Sequence, residues 1–356
     1  MTQFLQIHLL TSYPPSNLNR DDLGRPKTAV MGGVPRLRIS SQSLKRAWRT
    51  SDLFAEALGG QIGTRTKSLG TRILKDLKAG GVPAKLARTA AERIAGVFGK
   101  PKTAKEEEGE TVEIEQLVHV SPAELAAIDD LVTRLAAEKR EPTDDELKLL
   151  RKDHRAADIA LFGRMLAAAP DFDVEAAAQV AHAITVHRAD VEDDFFSAVD
   201  DLNRDDRGAG HLGEAEFAAG LFYLYLCIDR DRLVENLGGD EALAVRALRS
   251  LIEAAATLAP TGKQNSFASR AYASYVLAEK GRRQPRSLSV AFLKPVAGED
   301  YLTESVKRLE TMRENLDRVY GPTAEAAFTL DAVRGEGALA GLLDFVARPL
   351  GPLGEA

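Results

Sequence analysis

Val34-Pro35-Arg36-Leu37-Arg38-Ile39-Ser40-Ser41-Gln42-Ser43-Leu44-Lys45-Arg46-Ala47-Trp48-Arg49 reads as a strand running directly into a helix. Leu37 and Ile39 alternate with Arg36 and Arg38, which predicts one apolar and one basic strand face. Ser40 or Ser41 is placed to cap the helix that follows. A helix start presents unpaired backbone N–H groups and a partial positive charge, which together attract anions. Lys45 and Arg49 lie four apart and share a helical face. Hydroxyls, an amide, a helix N-terminus and several cations thus converge in one short stretch. That inventory suits a sugar-phosphate backbone better than a small metabolite.

The chain has 356 residues and a net charge of −6, which taken alone argues against nucleic acid. The charge is uneven, however. Residues 1–50 hold eight Lys or Arg (Arg20, Arg25, Lys27, Arg36, Arg38, Lys45, Arg46, Arg49) against two acids, Asp21 and Asp22. A basic patch on an acidic body still binds phosphate, because salt screens the distant charges. Lys263 to Arg286 is a second basic stretch, with six cations and one acid. The single cysteine, Cys227, excludes an internal disulfide framework and a Cys-based zinc site. It lies in an apolar run and reads as an inert buried thiol. No stretch is apolar enough to cross a membrane and no secretory signal opens the chain, so a soluble, cytoplasmic protein is expected.

Phe4 to Leu10 alternates and reads as a strand, with Leu5, Ile7 and Leu9 on one face and Gln6 and His8 on the other. Thr11 to Val34, rich in Pro, Gly, Asn and Asp, reads as a long loop of the kind usually retained for function. The helix after Ser41 is expected to run to about Ala57 and to stop at Gly59-Gly60. Residues 61–175 read as a helical insertion interrupted by a charged loop at Lys102 to Glu115. Thr143 to Met165 is expected as one helix carrying Lys148, Arg151, Lys152 and Arg155 on a basic face. Val180 to Val186 and Phe217 to Ile228 read as strands, as do Ser266 to Leu277 and Ser287 to Phe292. Helices are expected from Asp229 or Asp231 to Gly238, from Asp240 to Leu258, and from Glu299 to Tyr320. Without the insertion the order is strand, helix, strand, strand, helix, strand. That is the split βαβ, ferredoxin-like arrangement also used by RRM-type RNA binders.

Several blocks resemble a known family. Asn17-Leu18-Asn19-Arg20-Asp21-Asp22, Gly32-Gly33 and Arg38-Ile39-Ser40-Ser41-Gln42-Ser43-Leu44-Lys45-Arg46 are similar to the N-terminal hallmark of CasC. CasC is the repeated backbone subunit of the type I-E CRISPR Cascade complex. Ala181-His182-Ala183-Ile184-Thr185, Asp194-Phe195-Phe196-Ser197-Ala198-Val199-Asp200-Asp201 and His211-Leu212-Gly213 follow in the family's order. The resemblance implies an α+β fold: a modified RRM, ferredoxin-like palm, a large helical insertion forming fingers, and a β-hairpin thumb. On this sequence that gives palm 1–58, fingers 59–178, a palm strand 179–190, thumb 191–216 and palm 217–356. It implies no enzymatic activity. The implied partners are CRISPR RNA, target DNA, neighbouring copies of the chain and other Cascade subunits.

The resemblance also assigns RNA-backbone contacts to Lys27, Ser40, Gln42, Lys45 and Arg49, and contacts with a displaced base to Phe196 and Met165. Arg20, Arg38, Arg46, Phe195, Ser197 and Lys263 complete the expected RNA-binding set. The family carries Lys where Arg49 stands and Trp where Phe195 stands. Arg contacts phosphate with a different fork geometry, and Phe lacks the indole donor. A subunit that accepts any guide should grip phosphate and ribose and leave base edges free.

Each sharp reading has a plainer counterpart. Lys45 and Arg49 alone would be a solvated face. One of Phe195 and Phe196 is expected in a core and the other at a site. Met165 would by default be helix core. Lys148, Arg151, Lys152 and Arg155 are most often a solvated face, and the sharper reading is a duplex DNA contact. Gly208 to Gly213 matches G-x-G-x-x-G but follows an Asp- and Arg-rich loop, which rejects a dinucleotide site. His182 and His187, five apart, suit no shared metal. No metal or cofactor is expected. The rival reading is a metal-dependent RNA endonuclease using Asp21 and Asp22 in the first long loop, where the same carboxylates would otherwise pair with Arg20 or Arg25.

Overall fold

The computed structural model describes residues 2–102, 111–199 and 209–351. Most of the charged loop expected at Lys102 to Glu115 lies outside these residues. So do Asp200, Asp201 and Gly208, and the side chains of His211 and Leu212.

The chain divides into two compact units. One holds residues 1–54, 179–229 and 248–356, and the other holds 55–178 and 230–247. In the first, β1 (Phe4–Ser16) pairs antiparallel with both β9 (Ala209–Asp229) and β10 (Ala273–Gly281). The short β7 (Ala183–Thr185) lies on the far side of β9. The order β10-β1-β9-β7 places the fourth, first, third and second strands of the expected scheme side by side. All these pairs are antiparallel, as the split βαβ arrangement requires. The fold is therefore α+β with a ferredoxin-like palm. Edge strands extend it: β11 (Ala326–Asp331) beside β10, and the hairpin β2 (Thr28–Met31) and β3 (Val34–Ile39) beside β7.

The sheet is covered on both faces. Leu5, Ile7 and Leu9 of β1 are buried, and so are Gln6, His8 and Leu10 between them. On the Leu10 side, Tyr223, Tyr275 and Leu277 pack with Phe292, Val306 and Leu309, the last two from α10 (Tyr301–Tyr320). A polar network fills the same side. The Tyr223 hydroxyl lies 2.9 Å from His8 Nδ1, Tyr225 donates to Gln6 at 3.0 Å, and Arg286 and Arg313 each reach Glu279 at 2.6 Å. Burial alone would raise the Glu279 carboxyl, but hydrogen bonds from His8, Arg286 and Arg313 hold it below the ordinary carboxylate range. With α10 over it, the rings of Tyr223, Tyr275 and Phe292 on this face are buried.

Some expected elements differ. β1 runs on to Ser16 because its pairing with β9 continues to Ser16 and Ala218, and β2 forms within the expected loop, where a 2.7 Å backbone bond from Arg38 to Lys27 carries the hairpin pairing onward. The single helix expected from Ser41 to Ala57 is two, α1 (Ser41–Arg49) and α2 (Asp52–Leu58). Ser51 ends the first by bonding the Trp48 carbonyl and starts the second by accepting from the Phe54 N–H. β6 (Ala178–Val180) and β7 replace one continuous strand. The strand expected from Ser266 to Leu277 forms only from Ala273, as β10, with the helical turn α9 (Gln264–Phe267) over its start, and Ser289–Phe292 is a 3-10 turn in place of the other expected strand.

The second unit is mainly helical: α3 (Leu69–Ala79), α4 (Ala84–Gly96) and α5 (Pro122–Glu138) bury Ile73, Leu77, Ile94, Ile128 and Leu135 in one core. A small two-stranded antiparallel sheet of β4 (Thr64–Thr66) and β5 (Val118–Val120), strands on either side of α3 and α4 in the chain, joins it. Residues 230–247, which hold α7 (Arg230–Asn236) and the first part of α8 (Glu241–Thr257) and were expected with the palm, cluster with this unit. The helix expected from Thr143 to Met165 does not form. Thr143 does exchange hydrogen bonds with Glu146, but Arg140 takes the same carboxylate, and Arg155 adopts a left-handed φ of 43°. Only α6 (Ala157–Phe162) is helical there. Lys148, Arg151, Lys152 and Arg155 therefore share no helical face. Lys148 pairs with Asp145, Arg155 with Asp153, and Arg151 donates to the Lys148 and Leu150 carbonyls.

Candidate nucleic-acid interface

The site is built at the β3–α1 junction. Ser40 takes an extended conformation, and its Oγ accepts from the Ser43 N–H at 3.3 Å, capping α1. Its own N–H donates to Asn19 Oδ1 at 2.8 Å, and the Asn19 carbonyl accepts from the Lys27 N–H at the same distance. The first loop is thereby clamped onto the helix start. Leu44 and Trp48 face inward. Gln42 and Arg46 are exposed, while Lys45 and Arg49 are half-buried. Arg46 and Arg49 also sit in the last turn, where they complement the helix dipole.

Arg38 and Arg36, expected on one basic face, separate. Arg38 stays half-exposed, with Nη1 2.8 Å from His182 Nδ1. Burial, then Arg38 and Lys27, push the His182 pKa down, so a neutral imidazole accepts from the guanidinium. Arg36 is fully buried. It donates to the carbonyls of Thr185 at 2.9 Å, Phe292 at 3.0 Å and Met31 at 3.3 Å. Arg36 is a staple between segments and not part of the interface. Sequence alternation alone could not separate the two.

The first loop carries Arg20 and Lys27 on a turn organised by Asp21. Asp21 Oδ1 accepts from the N–H groups of Leu23 and Arg25, both at 2.9 Å. The Arg25 guanidinium turns instead to Glu216 at 3.0 Å, correcting the expected pairing with Asp21 or Asp22. Buried Asn17 ties the same loop to β9 through the carbonyls of Gly24 and Glu216, each at 2.9 Å. Among the described residues no group of His, Cys, Asp and Glu is arranged to hold a metal. Lys263 and Arg20 line one cleft with Glu214, Glu216 and Asp193.

A family model matches residues 5–342. The chain belongs to the CT1975-like protein family. Two solved structures resemble this CT1975-like chain along nearly its full length. One is a chain of a "CRISPR RNA-guided surveillance complex, pre-nicking", 33% identical, covering 97% of this chain and 99% of its own, with a TM-score of 0.80. The other belongs to a "CRISPR RNA-guided surveillance complex", 30% identical with the same coverages and a TM-score of 0.70. No curated protein matches.

In this CT1975-like fold, β8 (Glu192–Val199) pairs with the start of β9 to form a hairpin. Phe195 and Phe196 are 64% and 43% exposed, so neither is core, contrary to expectation. Phe196 lies opposite Gly213, where a side chain would collide with its ring. Ser197 is exposed beside them. In the helical unit, Met165 is 82% exposed and not helix core. Its neighbour Arg164 is buried and paired with Glu124 at 2.7 Å, which fixes the methionine's base while its side chain stands outward. The sequence signal missed here was Arg164 itself, a buried cation flanking an exposed apolar knob.

Proposed function

We propose that this chain is a CasC-type backbone subunit of a type I-E Cascade complex. It binds CRISPR RNA through Gln42, Lys45, Arg46 and Arg49 of α1 with Lys27 and Arg38 beside them, polymerises along the guide, and holds it for pairing with target DNA in the cytoplasm. The observation that carries the reading is the capped α1 start. Its outward face bears an amide and cations, its inward face is buried, and the first loop is clamped against it. The match to surveillance-complex chains over 97% of this chain supports it. Phe195 and Phe196 in the first unit, and separately Met165 in the second, are exposed apolar groups of the kind that wedge splayed bases.

The subunit is proposed to be non-enzymatic. Asp21 is occupied by backbone N–H groups and shapes the loop, which favours a positioning role over metal binding. Assembled complex incubated with matched RNA and Mg²⁺ should leave the RNA whole. Regularly spaced cuts abolished by Asp21→Ala or Asp22→Ala would establish the endonuclease instead. For RNA binding, Lys45→Ala with Arg49→Ala should weaken affinity equally for all guide sequences. The salt dependence should flatten by roughly 0.7 per lost phosphate contact. A loss that depends on guide sequence would contradict backbone gripping.

A further inference from the structure

The second basic stretch, Lys263 to Arg286, is mostly committed to the fold. Lys280 donates to the Arg348 carbonyl at 2.5 Å and lies over the Phe345 ring. Arg282 pairs with Glu325, and Arg286 with Glu279 and Asp317. Arg270 is different. It is exposed and enters no ion pair among the described residues. Two residues later Tyr272 is 72% exposed. From Lys263 to Ala278 the sequence contains no acid.

The backbone that presents this pair is strained and held. Lys263 and Ala268, on either side of α9, take left-handed φ values of 46° and 48°. Such a conformation is unfavourable for a non-glycine residue and persists only where its surroundings impose it. Three contacts do so. Gly262 lies so close to the Leu18 carbonyl that a Cβ would stand 2.3 Å from its oxygen. Phe267 packs on Phe217 with ring centres 6.0 Å apart, and buried Ser269 donates to Gln264 at 3.2 Å. Leu18 directly precedes Asn19, whose side chain holds the Ser40 N–H. The segment is thus anchored to the same loop that shapes the α1 site.

We propose that Arg270 and Tyr272 form a second contact for the single-stranded RNA, Tyr272 stacking on an unpaired base and Arg270 meeting an adjacent phosphate. This rests on the RNA-binding reading of α1. An exposed ring beside an uncompensated cation is the combination that non-specific single-strand binders use, because every base has a π-face.

The test uses the full chain and an RNA oligomer carrying 5-iodouridine, which crosslinks to stacked aromatic side chains on irradiation. The expected result is a crosslinked peptide containing Tyr272 and roughly ten- to hundredfold weaker binding by Tyr272→Ala. Tyr272→Trp should retain both crosslink and affinity. Arg270→Ala should flatten the salt slope by roughly 0.7. Both side chains are exposed, so unchanged thermal melting verifies the fold. If Tyr272→Ala binds RNA normally while Lys45→Ala with Arg49→Ala does not, the second contact is wrong and the α1 reading stands. If neither variant loses RNA, both fall. If Tyr272→Ala loses only association between protein chains, the surface is a protein contact and the proposal is overturned.

Discussion

Arg36 and Arg38 differ by two positions and have opposite tasks. Arg36 is dry, and burial lowers its pKa. It stays charged because a guanidinium begins far above neutral pH. Its donors satisfy carbonyls of Met31 in its own hairpin and of Thr185 and Phe292, both distant in sequence. Arg36→Met keeps the stem but leaves those carbonyls without donors. At about 1 kcal/mol per lost bond, stability should fall by about 3 kcal/mol in urea titration, with RNA affinity of the folded fraction unchanged. Arg38→Ala should do the reverse, lowering affinity while barely moving the urea midpoint. The strand alternation was legible from the sequence, but which arginine is wet was not. That depends on a 3-10 turn at Ser289–Phe292 closing over the strand from about 250 positions away.

The β2–β3 hairpin shows what element-scale reading recovers and misses. Gly32-Gly33 was legible as a marked pair, but the strands it joins were hidden in a Pro- and Gly-rich stretch. Both glycines take positive φ, 62° and 80°, the geometry of a two-residue turn that matches strand twist. Gly32 is doubly constrained, because a Cβ there would stand 1.7 Å from the Leu293 carbonyl oxygen. Gly32→Ala should therefore destabilise by more than about 2 kcal/mol, while Gly33→Ala, with open space around it, should lose about half as much. Denaturant melts of the two variants check the difference. Equal losses would mean the close approach to Leu293 is easily relieved. Helices α1 and α10 were legible because capping residues and apolar spacing agree there. The stretch from Thr143 to Met165 was not. Its start signal is real, but Arg140, Glu124 and Arg164 take its polar groups into contacts that local pattern does not encode.

At the scale of the molecule, the strand order follows from the strand-helix-strand-strand-helix-strand sequence once the helical insertion is set aside, and the buried histidines do not. His154 in the helical unit is 1% exposed, and its Nδ1 accepts from the Ala156 N–H at 3.1 Å. Burial, then the nearby Arg164, lower its pKa to about 4. The unfolded chain binds this proton near pH 6.5, whereas the folded chain resists it. The unfolded state therefore gains protons first as pH falls. Stability should decline below pH 6.5 and the loss should level off near 4. Over that window the loss from His154 alone is about 3 kcal/mol. Buried His8 in the palm, also shifted down, acts in the same direction. The carboxylates held low, Glu146 and Glu279 among them, begin to weaken the fold only as the pH nears their ordinary value of 4.5, so above about pH 5.5 the loss comes from the histidines. His154→Asn supplies an acceptor that does not titrate. Its urea-derived stability should fall less between pH 7 and pH 5 than that of the parent chain, and parallel pH curves would show that His154 is protonated in the fold without penalty.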